Sequence, residues 1–373
     1  MIYYIRLLKP PPATVRPGQP FQVVWTITND LGEMPYLESI NVLCKVVGSS
    51  AGGKARVRSH GQTQGGSTGR KSGQPSHCEL TYDPFRGGGF VCSTLILENN
   101  IEAQDQLMFC AAQDNQQSRH PTWTGACCTD NDTWIIPVWA PLSGNQEKHV
   151  ERRVAVHGQA LRIRENVGES LEGHVWDCGM VIADYLAKRD ASSLKSLYGR
   201  RILELGCGTG IAGLAAASFL APQTTFLTDI PDALSLPRIN ARLNQQMKGK
   251  ETVVTGWTWV TQNEQQAQKI EPPVATVDLV ILTDVLYNQG SHDALLDTLD
   301  WLALHNPDLH VLLAYKERHS DERVFFDEKL VAHHWLVRRD DAYDTPIFEI
   351  YWLSKKGGNK RFISEEGKSK IDK

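Results

Sequence analysis

The sequence predicts two domains of different class, a smaller all-β, sandwich-like domain followed by an α/β domain on a parallel sheet. One observation behind this is the period-two alternation of apolar residues in the first 140 positions. Another is the change after residue 153, where short apolar strands begin to alternate with helical segments. The third is a strand that runs into closely spaced glycines and then a helix, at residues 202–213.

In the first region (1–140), Phe21, Val23, Trp25 and Ile27 are apolar at every second position, the pattern of a half-buried strand, and Pro17-Gly18 before them signals a turn. Phe90 to Leu97, Leu107 to Ala112 and Trp134 to Trp139 are further strands. Residues 49–77 are rich in Gly, Ser, Gln and basic side chains and are expected to form a disordered loop. Its Lys54, Arg56, Arg58, Arg70 and Lys71 read first as a solvated insertion and second as a contact for an acidic partner. Residues 141–152 read as a linker.

The second region (153–355) is expected to hold helices over Val175 to Ala187, Ile211 to Leu220, Pro231 to Met247 (kinked at Pro237), Asp293 to Leu304 and Asp321 to His333. Strands are expected over Arg201 to Leu205, Thr224 to Thr228, Val277 to Thr283, Leu309 to Tyr315 and Ile347 to Leu353. Residues 356–373 read as a disordered tail.

With 373 residues, two domains of ordinary size are the natural prior. A net charge of −4 argues against a nucleic-acid partner, and no apolar run is long enough to span a bilayer as a helix. Met1 to Arg6 is too soon charged for a signal peptide, so the cytoplasm is the expected compartment, with the nucleus second. The eight cysteines form no C-x-x-C pair, no metal site is expected, and free buried thiols are the plain reading. Asn131-Asp132-Thr133 fits a glycosylation sequon and is read as chance.

The chemistry concentrates at Glu204-Leu205-Gly206-Cys207-Gly208-Thr209-Gly210. Glycines there allow a sharp turn and let a ligand lie on bare main chain. Gly208, Gly210 and Gly213 also satisfy the dinucleotide pattern G-x-G-x-x-G, and Asp229 lies at the right distance to hold a ribose in either case. Electrostatics separates the two ligands. A dinucleotide brings a pyrophosphate, which Glu204 would repel; S-adenosylmethionine (SAM) brings an ammonium and a sulfonium, which Glu204 suits. A like-charge pair at 4 Å costs about 1 kcal/mol in bulk water and about 4 kcal/mol at an effective dielectric near 20. SAM is therefore the expected cofactor. Cys207 beside it reads as a small loop residue and not a nucleophile.

Several motifs in one order now resemble a known family. Gly173-His174-Val175-Trp176-Asp177 is similar to its V-W-D lead-in to the first helix, Glu204 to Gly210 to its motif I, and Thr228-Asp229 to its T-D. Asn240 and Asn244 match its paired asparagines. Val254, Trp257 and Trp259 fit its V-x-x-L-x-W strand, with Trp257 in place of leucine. Asp284-Val285-Leu286-Tyr287 matches its D-x-x-Y, and Tyr315 to Arg318 its Y-x-x-R. From 153 to 355 the chain resembles the seven-β-strand non-histone protein lysine methyltransferases, methyltransferase family 16.

The resemblance implies a Rossmann-like seven-stranded fold and roles for single residues. Trp176, Glu204, Gly206, Gly208 and Gly210 would hold the methionine end of SAM, Asp229 the ribose hydroxyls and Trp259 the adenine. Asp284 and Tyr287 would act as the catalytic pair that orients the incoming amine, Asp284 by binding first and proton acceptance second. A bland reading of Asp284 is an N-cap of the following helix. Asn240 reads equally as a ligand contact or a helix-surface residue, and Trp257 as core. The implied substrate is a protein of the elongation-factor, chaperone or AAA ATPase class. A small-molecule methyltransferase and a SAM-fold interaction protein without activity are the competing readings, and histidine or arginine stays open as acceptor.

Overall fold

The computed structural model describes residues 1–48, 56–59, 77–112, 119–129, 132–143, 149–168, 173–189, 200–246, 251–259, 277–341 and 347–356. They divide into two compact units: Met1–Met180 with Arg242–Asn244, and Val181–Ala241 with Gln245–Lys373.

The first unit is built from twelve strands: β1 (Ile2–Lys9), β2 (Pro20–Thr28), β3 (Ile40–Val47), β4 (Val57–Ser59), β5 (His77–Tyr82), β6 (Val91–Leu97), β7 (Gln106–Ala111), β8 (Cys127–Cys128), β9 (Trp134–Ile136), β10 (Val138–Pro141), β11 (His149–Val156) and β12 (Gln159–Asn166). They form two six-stranded sheets, β4-β6-β2-β1-β9-β8 and β12-β11-β10-β7-β3-β5. The alternation in β2 buries Phe21, Val23, Trp25 and Ile27 in one core with Val42, Cys44, Leu80, Leu107 and Phe109 of the other sheet. That shared core is what makes the unit a sandwich. The eight cysteines are free thiols.

Three expectations change here. The stretch read as a linker, 141–152, carries the end of β10 and the first half of β11, which pairs with β12 residue by residue from His149↔Asn166 to Val156↔Gln159. The boundary therefore does not fall at 153. Trp134 to Trp139 is two strands, one in each sheet. Within 49–77, Val57–Ser59 pairs with β6 and His77 opens β5; the rest of that segment, Asn131 and residues 357–373 lie outside the described residues.

The second unit holds a seven-stranded sheet of β13 (Arg201–Leu205), β14 (Thr224–Asp229), β15 (Thr252–Gly256), β16 (Leu279–Thr283), β17 (His310–Tyr315), β18 (Trp335–Arg339) and β19 (Glu349–Lys355). Its order is β15-β14-β13-β16-β17-β19-β18, parallel except for the two pairs that β19 makes. This is the expected Rossmann-like sheet. The helices are α1 (Asp177–Lys188), which begins in the first unit, α2 (Ile211–Leu220), α3 (Ser235–Leu243) and α4 (His292–His305). α2 is buried along nearly its whole length, and Leu295, Leu296, Leu299 and Leu302 of α4 pack with Val280, Leu282, Val311 and Leu313 of the sheet.

Pro237 produces no interior kink. A 3-10 turn at Pro231–Ala233 precedes α3, and Pro237 is the third residue of the helix, in the first turn, where no backbone donor is needed. The helix expected over Asp321 to His333 is broken into a 3-10 turn (Ser320–Arg323), a π turn (Phe325–Lys329) and three α residues.

Candidate active site

Strand order brings the motifs to one edge. β13 lies between β14 and β16, and β16 lies beside β17, all parallel. Their carboxyl ends are therefore neighbours: Asp229 closes β14, the glycines follow β13, Asp284 follows β16 and Arg318 lies just past β17. Chain order reverses between β13 and β16, the place where open α/β sheets bind ligands.

The glycine loop has positive φ at Gly206, Gly208 and Gly210, conformations that exclude most side chains. A Cβ on Gly206 would stand 3.1 Å from Trp259 and 3.2 Å from Val285, so the loop is pressed between the Trp259 ring and the D-x-x-Y segment. Asp229 ties the loop down: Oδ2 accepts from the Gly208 amide at 2.7 Å and Oδ1 from that of Ile230 at 2.8 Å. Asn240 is not a surface residue. It is buried and donates to the Thr209 carbonyl at 2.9 Å, fixing the loop from α3. Asn244 does a different job in the first unit, pairing with both backbone groups of Arg162 in β12.

Glu204 is buried, and its Oε2 accepts from the Gly213 amide in the first turn of α2 at 2.8 Å. Its Oε1 is buried with no hydrogen-bond partner among the described residues. Burial, aided by the nearby Asp229, pushes its carboxyl up to about 8 against the pull of the helix amides. A buried carboxyl with one oxygen unsatisfied fits a cationic ligand and opposes an anionic one. With the bare main chain of the loop and Asp229 beside it, these residues fit SAM. Cys207 is buried, and burial raises its thiol, so it stays protonated.

Asp284 stands at φ 53, a left-handed conformation that short polar residues tolerate. Its Oδ1 accepts from Arg318 at 2.7 Å, and both side chains are less than a tenth exposed. Arg318 is held in turn: its amide donates to Glu322 at 3.2 Å, and the same Glu322 oxygen accepts from Tyr315 at 3.0 Å. The helix-cap reading of Asp284 is ruled out, since Asn288 takes that place for the next turn and Ser291 precedes α4. Tyr287 is 57% exposed while Val285 and Leu286 are buried, so this segment turns Tyr287 outward. His292, buried, contacts the Leu286 carbonyl at 2.9 Å and packs on Phe325, fixing the same segment.

Sequence reasoning named Arg318 only as part of a motif and did not name His292 or Glu322. The signal for Arg318 was available, because a basic residue just past the strand next to β16 is placed to meet Asp284. Trp257 is buried as expected, and Trp259 is half-buried. Trp176 falls in the first unit, where its carbonyl accepts from the Gly179 and Met180 amides at the start of α1.

Comparison with known proteins places similarity over both units of the chain. The lysine methyltransferase family profile matches residues 155–331, so this stretch of the chain is similar to the lysine methyltransferases. A UPF0665 family protein of Schizosaccharomyces pombe, C23C4.06c, is 27% identical over 95% of this chain and 99% of its own length, so the similarity includes the β-sandwich. EEF1A lysine methyltransferase 3 of Mus musculus is 29% identical over 51% of this chain and 78% of its own length. Protein N-lysine methyltransferase METTL21A of Danio rerio is 31% identical over 41% and 65%.

Proposed function

We propose that the protein transfers a methyl group from SAM to a lysine of a non-histone protein of the translation-elongation-factor class. The observation that carries the site assignment is the packing of Gly206 against Val285, which sets the cofactor loop directly against the D-x-x-Y segment. The elongation-factor class is favoured because relatives bearing the EEF1A name align over most of their own length.

SAM supplies an electrophilic methyl on a sulfonium, and the chain's residues supply position. Gly206, Gly208, Gly210 and Glu204 hold the methionine end, Asp229 the ribose, and Trp259 flanks the adenine. The acceptor amine must be neutral, and with a pKa near 10.4 only about 0.04% of free lysine is neutral at pH 7. Loss of water and the approach to a cation lower that pKa. Asp284 is paired with Arg318 at 2.7 Å, which fixes its carboxylate in place. Its work is to bind and orient the amine, while Tyr287 offers a ring face and hydroxyl at the mouth.

The test is to incubate the full chain with labelled SAM and a eukaryotic cell lysate, then identify the labelled protein and residue by mass spectrometry. A methylated lysine in an elongation factor is expected. Label in an arginine or histidine, in a chaperone or AAA ATPase, or only in small molecules would contradict the proposal.

A further inference from the structure

The hairpin of β11 and β12 carries a second cluster of charge, unconnected with the methyl-transfer residues. Alternate residues of a strand share a face, and the register sets Glu151 opposite Arg164 and Arg153 opposite Arg162. These four, with Asp105 and Gln106, line a cavity of about 540 Å³ in the first unit. Two arginines directly opposite one another destabilise a hairpin unless a negative charge lies between them. Glu151, buried, does part of this: it is 2.7 Å from Arg162 and 3.9 Å from Arg153. Arg153 also donates to the Gln106 side chain, yet its Nε is buried with no hydrogen-bond partner among the described residues. Asp105 is committed to a turn, accepting from the Glu102 amide at 2.8 Å. Among the described residues, three guanidiniums line this cavity with two carboxylates, Glu151 held by Arg162 and Asp105 by its turn.

We propose that this cavity binds a small multivalent oxyanion, a polycarboxylate or a phosphate ester, with Arg153 and Arg164 as its principal contacts. Guanidinium pairs suit such groups because their parallel N–H donors match two oxygens at once. The volume lies in the range of small-molecule sites, about 300–1,000 Å³, larger than one inorganic ion requires. Arg162 stays with Glu151.

The experiment titrates citrate and, separately, inorganic pyrophosphate into the full-length protein by calorimetry. Ionic strength is held constant and SAM is kept saturating, so that the glycine loop is filled. Saturable one-to-one binding of at least one probe is expected, and the stronger probe distinguishes carboxylate from phosphate as the ligand group. Arg164→Gln and Arg153→Gln should each weaken it at least tenfold while leaving SAM affinity unchanged. Arg162 is left intact because its loss would strand Glu151. Should Arg153→Gln not fold, Arg164→Gln decides alone. No saturable heat with either probe, or undiminished binding by a folded Arg164→Gln, would overturn the proposal.

Discussion

Two buried glutamates, one in each unit, show how the same side chain serves opposite ends. Glu165 in β12 is fully paired: Arg152 reaches it at 2.6 Å and the Val175 amide at 2.8 Å. Burial pushes its carboxyl up, but Arg152, Arg6 and the amide pull harder, and the net shift is downward. Glu204 at the end of β13 has backbone donors and no cation among the described residues, and its carboxyl is pushed up to about 8. A buried charge with its counter-charge inside the fold is architecture. A buried acid without one is a place where the counter-charge arrives with a ligand.

The largest expected effect concerns the first kind. Removing residues 1–152 cuts β11 midway and deletes its neighbour β10. It also deletes Tyr4, which donates to Asp177 at 2.7 Å, and Trp123, which donates to the Met180 carbonyl at 2.9 Å. The fragment 153–373 should therefore not fold cooperatively. A sharp thermal transition with SAM binding in that fragment would show that it stands alone.

Next in size is Glu165→Ala, which strands Arg152 in the core and should cost about 3–5 kcal/mol in chemical denaturation. A loss below about 1 kcal/mol would mean that the pair contributes no more than an exposed one. Asp284→Ala should slow methyl transfer by roughly 10²-fold or more at saturating SAM, with SAM affinity little changed. It also leaves Arg318 unpaired, so transfer must be counted per folded molecule; an unchanged rate on that basis would make the ion pair purely structural.

The smallest effect is a pH dependence. A carboxyl raised in the folded state gives stability that is complete below its unfolded value and is lost as pH rises through the folded one. The SAM-free protein should lose stability between about pH 5 and about pH 8, and Glu204→Gln should flatten that part of the curve. The Glu165 pair has the opposite sign, and its contribution falls away on acidification below the ordinary carboxylate range. Denaturation curves across pH for wild type and Glu204→Gln, if parallel, would remove Glu204 from the account.

Legibility in the sequence followed the same division. β13 and α2 could be read to the residue, because a buried parallel strand and an alanine-rich helix are plain in composition. β11 and β12 were missed because their interior positions include Glu151, Arg152 and Glu165; charges that pair inside a fold look like linker residues in a sequence. β18 was missed because four of its five residues are exposed. The motifs of the site were legible as a set, but the Asp284–Arg318 pair depended on strand order, which places residues 34 positions apart side by side.

The glycine loop with Glu204 is expected to accept a cationic adenosyl ligand. Isothermal calorimetry on the full-length protein tests it most directly, with SAM, its demethylated product and NAD as titrants, near pH 7 in buffers of different ionisation enthalpy. SAM and its product should bind with micromolar affinity and NAD should give no heat. The SAM signal should vary with buffer as Glu204 releases a proton, and Asp229→Ala should weaken SAM by about 1–3 kcal/mol. Heat with NAD and none with SAM would contradict the account.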